Sequence, residues 1–373
     1  MTRRDLLAMG AMAPLARAYA LPTAPVSIVK CPSYAGDVLA SMETLFDQLG
    51  GLGRLVKNKT VTIKLNLTGS PSLRFQGKAL GVSHYTHPKT VGAMAHLLGQ
   101  AGARRIRFVE SAWGTAGPLE EYMLDSGWNV RQLQNSAAKV EFENTNGKGT
   151  SGGYWRFKVP GQAEIFPAYE LNKAYHDTDF FISMAKLKNH FTCGVTLSMK
   201  NIFGITPASI YGDDAGVDEP NESPTKGRGL VCHAGKRQPA KIALPELNPA
   251  GDRRDNYRIP RITAEINAAR PIDLAFIDGI ETMAGGEGPW IRKPLAMVQP
   301  GILIAGTNAV TADTVATACM GYEPRAVRGK VPFETCDNTL LLAEARGLGT
   351  ADLTKIEVKG VPVTEAVYKY PGA

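Results

Sequence analysis

Apolar residues gather in short, nearly continuous runs at 26–30, 60–66, 104–109, 179–185, 272–277, 301–306 and 355–359. Runs of this length, with little polar alternation, predict strands buried on both faces. Stretches with helical spacing lie between several of them, at 37–49, 88–100, 118–126, 192–203 and 309–320. Pro88 and Pro118 suit the first turn of a helix, and Gly102 suits a helix exit. Residues 60–110 read as a complete β-α-β unit. The expected fold is therefore α/β, a mostly parallel sheet covered by helices on both faces.

Two stretches break the alternation. Residues 147–153, followed by 154–159, predict a loop and an inserted hairpin. Residues 211–256 are polar and rich in Pro and Gly. A loop of that length inside a compact domain is usually functional or disordered. Without tandem repeats or low-complexity tracts, residues 21–373 are expected to form one large domain with this long insertion.

The N-terminus differs from the rest. Arg3-Arg4 is followed by Leu6-Leu7, an apolar run to Leu15, and Ala18-Tyr19-Ala20. A charged start, a short apolar run and an A-x-A exit are the parts of an export signal. The arginine pair resembles the twin-arginine type, with Leu6 where the usual pattern has Phe. Residues 1–20 are thus expected to be a cleaved leader that engages the twin-arginine export machinery. The alternative is an attached amphipathic helix. The expected location is periplasmic or extracellular. The apolar run is too short to span a bilayer, and no later segment is long enough, so the mature chain is expected to lack a membrane span.

Composition changes this picture little. Hydrophobic residues make up 44% and charged residues 21%, as in ordinary globular chains. The formal charge is +7, and the leader carries Arg3, Arg4 and Arg17 against Asp5, so its removal leaves +5. This mild excess suits an anionic small molecule. No Lys/Arg run is interleaved with aromatics, so nucleic acid is not an expected partner. The five cysteines form no CxxC pair, and no iron–sulfur cluster is expected. An exported chain can pair two or four of them, leaving at least one free thiol.

Four groups of residues carry candidate chemistry. Lys64 and Asn66 close a buried strand on the same face, where open parallel sheets place ligands. A lysine snorkelling from the strand end would look the same. His84 and His87 precede the helix at Pro88, whose N-terminus attracts anions; a loop histidine and a capping histidine are the plainer alternative. The strand at 179–185 runs into Lys186, Lys188, Asn189 and His190, and then to Lys200 and Asn201. No acid interrupts that stretch. Like charges this close repel unless an anion or a carboxylate sits among them. If extension continues, Lys186, Lys188 and His190 share one face. The acidic group is Glu110, Asp278, Glu287 and Asp313. Converging carboxylates can hold a divalent metal ion, or pair with the lysines instead.

The chain lacks GxxxxGK[ST], strand-linked GxGxxG, GxSxG and HExxH, which sets aside P-loop, dinucleotide, α/β-hydrolase and zincin chemistry. The stretch Lys186-Leu187-Lys188-Asn189-His190, with Lys200-Asn201-Ile202-Phe203-Gly204, resembles the hallmark of domain-of-unknown-function family 362. The resemblance extends through Lys64, Asn66, Glu110, Asp278, Glu287 and Asp313, from about residue 26 to 360. It implies a family without an assigned reaction. Some relatives carry an iron–sulfur segment whose cysteine spacing is missing here. The residues together lead to an expected enzyme acting on a small phosphate- or carboxylate-bearing substrate, with metal assistance if the carboxylates converge. In it Lys64, Asn66, Lys186, Lys200, Asn201, His84 and His87 bind the ligand, and His190 and Lys188 do the chemistry. A periplasmic carrier with the same anion site and no turnover is the alternative.

Overall fold

The buried runs assemble into one eight-stranded sheet in the computed structural model, which describes residues 21–373. The expected leader lies outside the described residues. In chain order the strands are β1 (Val26–Lys30), β2 (Thr60–Lys64), β3 (Arg105–Glu110), β4 (Val140–Asn144), β5 (Tyr154–Lys158), β6 (Ala168–Asn172), β7 (Phe180–Lys186), β8 (Asn189–His190), β9 (Gly194–Val195), β10 (Leu274–Gly279), β11 (Thr282–Ala284), β12 (Ala296–Val298), β13 (Ile302–Gly306) and β14 (Val358–Gly360). The large sheet has the order β14-β1-β13-β10-β7-β2-β3-β4. Its pairings are parallel except where β13 meets β1 and β10.

Helices cover both faces, as the pattern predicts. Ile63, Phe108, Ile182 and Phe276 pack with Met42 of Val38–Asp47 and Met94 of Pro88–Gln100. Phe181, Ala185 and Ile277 point the other way, into a cluster with Ile262 of Arg258–Ala269 and Val315 of Ala309–Cys319. Alternate strand residues therefore feed two separate cores, which is why the strands read as unbroken apolar runs. Pro88–Gln100 begins as expected: proline occupies its first turn, and the His87 ring accepts from Lys89 N at 3.1 Å. Gly102 follows with φ +81°, a conformation glycine adopts without strain.

Several elements depart from expectation, among them the last strand, which runs over Val358–Gly360 after a 3-10 turn at Leu353–Lys355. β4 carries Glu141 and Glu143 and looks too charged for a strand. It is an edge strand, and β3 supplies the counter-charges: Arg105 lies 2.6 Å from Glu141 and Arg107 lies 3.6 Å from Glu143. The helix expected over 192–203 shrinks to Leu197–Asn201 and a 3-10 turn, because β8 and β9 first form a small hairpin. Gly194 in that hairpin has φ +74°, and a Cβ there would lie 2.5 Å from Phe333. The helix Arg258–Ala269 was not expected, although Ile259, Ile262 and Ile266 mark its buried stripe.

The inserted hairpin is present as β5–β6. Residues 211–256 hold one regular turn, Gly229–His233, and are anchored to the core by buried Val231, Cys232, Ala240 and Ala243. All five cysteines are buried and unpaired. Among the described residues no helix is long and apolar enough to cross a membrane.

Candidate anion site at the carboxyl ends of the strands

β2, β3 and β7 run parallel side by side, so their carboxyl ends emerge together. Above them lies a cavity of about 420 Å³. Lys64 and Asn66 come from the end of β2, and Glu110 from the end of β3. Lys188 and His190 follow β7, and Lys200 and Asn201 come from the short helix beyond it. Glu287 is the remaining cavity residue among those expected from the sequence, and Arg228, His233, Trp113 and Trp290 also line the cavity.

Lys64 and Glu110 form a buried pair. Lys64 Nζ lies 2.5 Å from Glu110 Oε1 and donates to Leu65 O at 2.7 Å, while Glu110 Oε2 accepts from Leu67 N at 2.7 Å. Burial pulls the Lys64 pKa down and the Glu110 charge opposes that pull. Gly204 makes room for the pair, since a Cβ there would sit 3.1 Å from Lys64 Nζ. Asn66 donates to Asn201 Oδ1 at 3.1 Å, and Asn201 Nδ2 donates to Ser183 Oγ at 3.0 Å. Asn66 Oδ1 is buried without a hydrogen-bond partner among the described residues.

The remaining cations are held differently. Lys188 is fully buried, and its Nζ donates to two backbone carbonyls, His84 O at 2.6 Å and Glu287 O at 2.9 Å. Burial pulls its pKa well below the usual range, and Lys186 and Lys200 add to the pull against Glu287. Lys200 Nζ stands 4.3 Å from the Phe203 ring centroid. Its pKa is also lowered, first by burial. Arg228 donates through Nη2 to Asn146 Oδ1 at 3.0 Å. Among the described residues, none of these three cations has a carboxylate in ion-pair range.

His190 Nδ1 accepts from Thr192 N at 3.1 Å. Burial, with Lys200, His233 and Lys188 nearby, holds its pKa well below 6.5. The ring is therefore neutral, and its proton sits on Nε2. His233 is likewise neutral, its pKa lowered to about 3 by burial and by Lys200 and Arg228.

A family model described as domain of unknown function DUF362 matches residues 61–318, a span that contains every cavity residue expected from the sequence. The chain belongs to the DUF362 family. It is 30% identical over 304 residues to the Thylakoid-associated protein sll1697 of Synechocystis sp., covering 81% of this chain and 76% of that one. Two solved structures are more distant. A Thermotoga maritima protein matches with TM-score 0.37 and 14% identity over 75% of this chain, and the lactate racemase apoprotein of Thermoanaerobacterium thermosaccharolyticum with TM-score 0.34 and 10% identity over 71%. This chain spans 57% and 52% of those two chains.

The DUF362 signature residues do not all meet in the cavity. Lys186 leaves the shared face expected for it, because β10 places Asp278 in register beside it. Lys186 Nζ lies 3.2 Å from Asp278 Oδ2 and donates to Gly81 O at 2.7 Å and to Tyr34 OH. Both members of this pair are fully buried outside the cavity. His87 caps its helix and stacks on Tyr34 with ring centroids 3.6 Å apart. His84 bonds Ser83 Oγ through Nδ1 at 2.8 Å and supplies its carbonyl to Lys188. Burial lowers their pKa values to about 3 and about 2. Neither ring lines the cavity.

The carboxylates expected to share a metal ion are dispersed. Glu110 is committed to Lys64, Asp278 to Lys186 and Tyr34, Glu287 Oε2 to Phe191 N at 2.9 Å, and Asp313 to the helix bearing Lys200. Among the described residues no group of three or more His, Cys, Asp or Glu side chains is placed to hold a metal ion. Arg228 and His233 escaped the sequence reading because they belong to the 211–256 segment. Its unusual length was the only signal.

Asp313 supports the site from behind. It accepts from Ser198 N at 2.9 Å, Ser198 Oγ at 2.5 Å and Met199 N at 2.8 Å, fixing the start of the helix that carries Lys200 and Asn201. Leu197 there has φ +43°, a left-handed conformation that costs a non-glycine residue. Burial raises the Asp313 pKa from 3.8 to about 7 against these donors. The folded state then binds a proton that the unfolded chain releases from pH 3.8 upward, so this contribution to stability is full below that pH. It is lost as pH rises to about 7. Asp313→Asn is expected to lack this loss, so the two unfolding free energies, measured in urea across that window, should change relative to one another.

Proposed function

We propose that this DUF362 protein is an enzyme whose cavity binds a small phosphate- or carboxylate-bearing substrate. The observation that carries the reading is Lys200, a cavity lysine that among the described residues has no carboxylate in ion-pair range and stands over the Phe203 ring. Burying a cation without a partner is costly, and an anionic ligand removes that cost. Lys200 and Arg228 are the groups free to hold the anion. Lys64 is neutralised by Glu110 and reaches Asn201 Oδ1 at 3.5 Å, while Asn66 Oδ1 is left as an acceptor.

Turnover is favoured over a carrier role by Lys188 and His190. A carrier needs cations alone, whereas these two groups have strongly perturbed pKa values beside the same cavity. Neutral His190 is suited to donate a hydrogen bond to a substrate oxygen, much as neutral imidazoles polarise carbonyls elsewhere. The test is to titrate the purified mature chain with a panel of small phosphates and carboxylates, then assay each ligand for conversion by mass spectrometry. For the ligand that is converted, His190→Ala should keep its affinity within a few fold and lower kcat by about 10² to 10⁴. Unchanged kcat would remove His190 from the chemistry; binding without conversion of any ligand would leave the carrier reading.

We also propose that the chain is exported through residues 1–20, on the strength of Arg3-Arg4 and the Ala18-Tyr19-Ala20 exit. Replacing Arg3 and Arg4 together by lysine should retain the uncleaved protein in the cytoplasmic fraction. Unaltered export and cleavage would contradict the twin-arginine reading.

A further inference from the structure

Three buried lysines cluster at the carboxyl ends of the strands, and the fold treats one of them differently. Lys64 has Glu110 at 2.5 Å and Lys186 has Asp278 at 3.2 Å. Where a lysine here is structural, a carboxylate meets it. Lys188 follows Lys186 by two residues and is equally buried, yet it receives two neutral carbonyls.

Two carbonyls match the hydrogen-bonding capacity of a neutral amine. An ammonium has three N–H donors and no acceptor, whereas an uncharged amine has two N–H donors and one lone pair. His84 O and Glu287 O take two hydrogens, and the remaining tetrahedral position is the one open to a cavity occupant. The surroundings keep it that way: Lys188 is fully buried, and Lys200 stands close enough to disfavour a second positive charge. Desolvated lysines beside another cation are the ones that act as nucleophiles.

We propose that Lys188 is an amine nucleophile that forms an imine with a 2-oxo acid bound in the cavity. The inference rests on the anion-site reading, which places the substrate carboxylate on Lys200 and Arg228. Lys188 lines the same cavity, so a carbonyl beside that carboxylate is the group its amine would meet. The amine nitrogen bonds to the carbonyl carbon, and one amine hydrogen moves to the oxygen to give a carbinolamine. The C–O bond then breaks, and the second amine hydrogen leaves with it as water. The His190 Nε2–H assists by bonding the oxygen as negative charge develops on it. No oxidant, reductant or further reactant is consumed. A carboxylate without an adjacent carbonyl would bind and not react.

The experiment uses the mature chain with pyruvate and with phenylpyruvate, each in the presence of sodium cyanoborohydride, followed by peptide mapping. Binding is followed separately through tryptophan fluorescence, since Trp113 and Trp290 line the cavity. The expected result is a reduced adduct on Lys188 in preference to every other lysine. Acetate should compete with it, and Lys188→Met should remove it while still binding acetate. Acetate and phosphate binding that is lost in Lys200→Ala, with Lys188 unmodified by both 2-oxo acids, would overturn the imine and leave the anion site standing. Failure of every anion to bind would overturn both.

Discussion

Asp278→Ala is expected to destabilise the protein by about 3–5 kcal/mol, the usual cost of stranding one member of a buried ion pair. The pair lies at the centre of the sheet, where β7 and β10 run in register, and both side chains are fully buried. Without the carboxylate, the Lys186 ammonium keeps only Gly81 O and Tyr34 OH. Tyr34 also loses its acceptor, since its hydroxyl donates to Asp278 at 2.8 Å. Urea unfolding reads the effect directly as a lower midpoint with an unchanged slope. Replacing both residues together, as Lys186→Met with Asp278→Leu, removes the charges in one step and should recover most of the loss. Equal stability of Asp278→Ala and the parent would mean that Lys186 is neutral or otherwise paired in the folded protein.

Lys200→Ala is expected to weaken anion binding about 10- to 100-fold, because a hydrogen bond to a charged group contributes about 1.5–3 kcal/mol. Stability should respond differently. The variant loses the contact with the Phe203 ring but also removes the cost of burying the Lys200 side chain. These effects oppose each other, so thermal unfolding should change little while affinity falls. That divergence separates a ligand-binding lysine from a structural one. Asp278 is the contrasting case: its loss should lower stability first, since it does not line the cavity.

The two cases show why one cluster of lysines was readable and its division of labour was not. Sequence alternation puts Lys64 with Asn66, and Lys186 with Lys188 and His190; all of these line the cavity except Lys186. Whether Lys186 joined them depended on which strand became its neighbour, and that pairing with β10 lies 92 positions away in the chain. The same limit applied to the carboxylates. Glu110 and Asp278 stand at the ends of buried strands rather than beyond them, and each is committed to a lysine that only the sheet order identifies. Local signals fared better. Pro88, Gly102 and the apolar runs marked Pro88–Gln100 and β1 with their observed bounds. β4 was hidden because its charges are satisfied by arginines on β3, a long-range fact with no local trace. Arg228 and His233 belong to a segment without periodicity, which the sequence marked only by its length.

The cations of the cavity also bear on its working range. Lys188, Lys200 and His190 are all pushed by burial toward their neutral forms, and the Lys200 charge pushes Lys188 and His190 further. An anion held by Lys200 reverses this for Lys200, so ligand binding and proton uptake are coupled. Affinity should therefore fall as pH rises and as salt screens the charges.

The most direct test of the central claim is calorimetric titration of small phosphates and carboxylates into the parent and into Lys200→Ala at equal pH and salt. The account predicts saturable one-site binding of at least one of them to the parent, accompanied by proton uptake and weakened at least tenfold in the variant. Equal affinity in the two proteins, or no saturable binding of any anion, would contradict it.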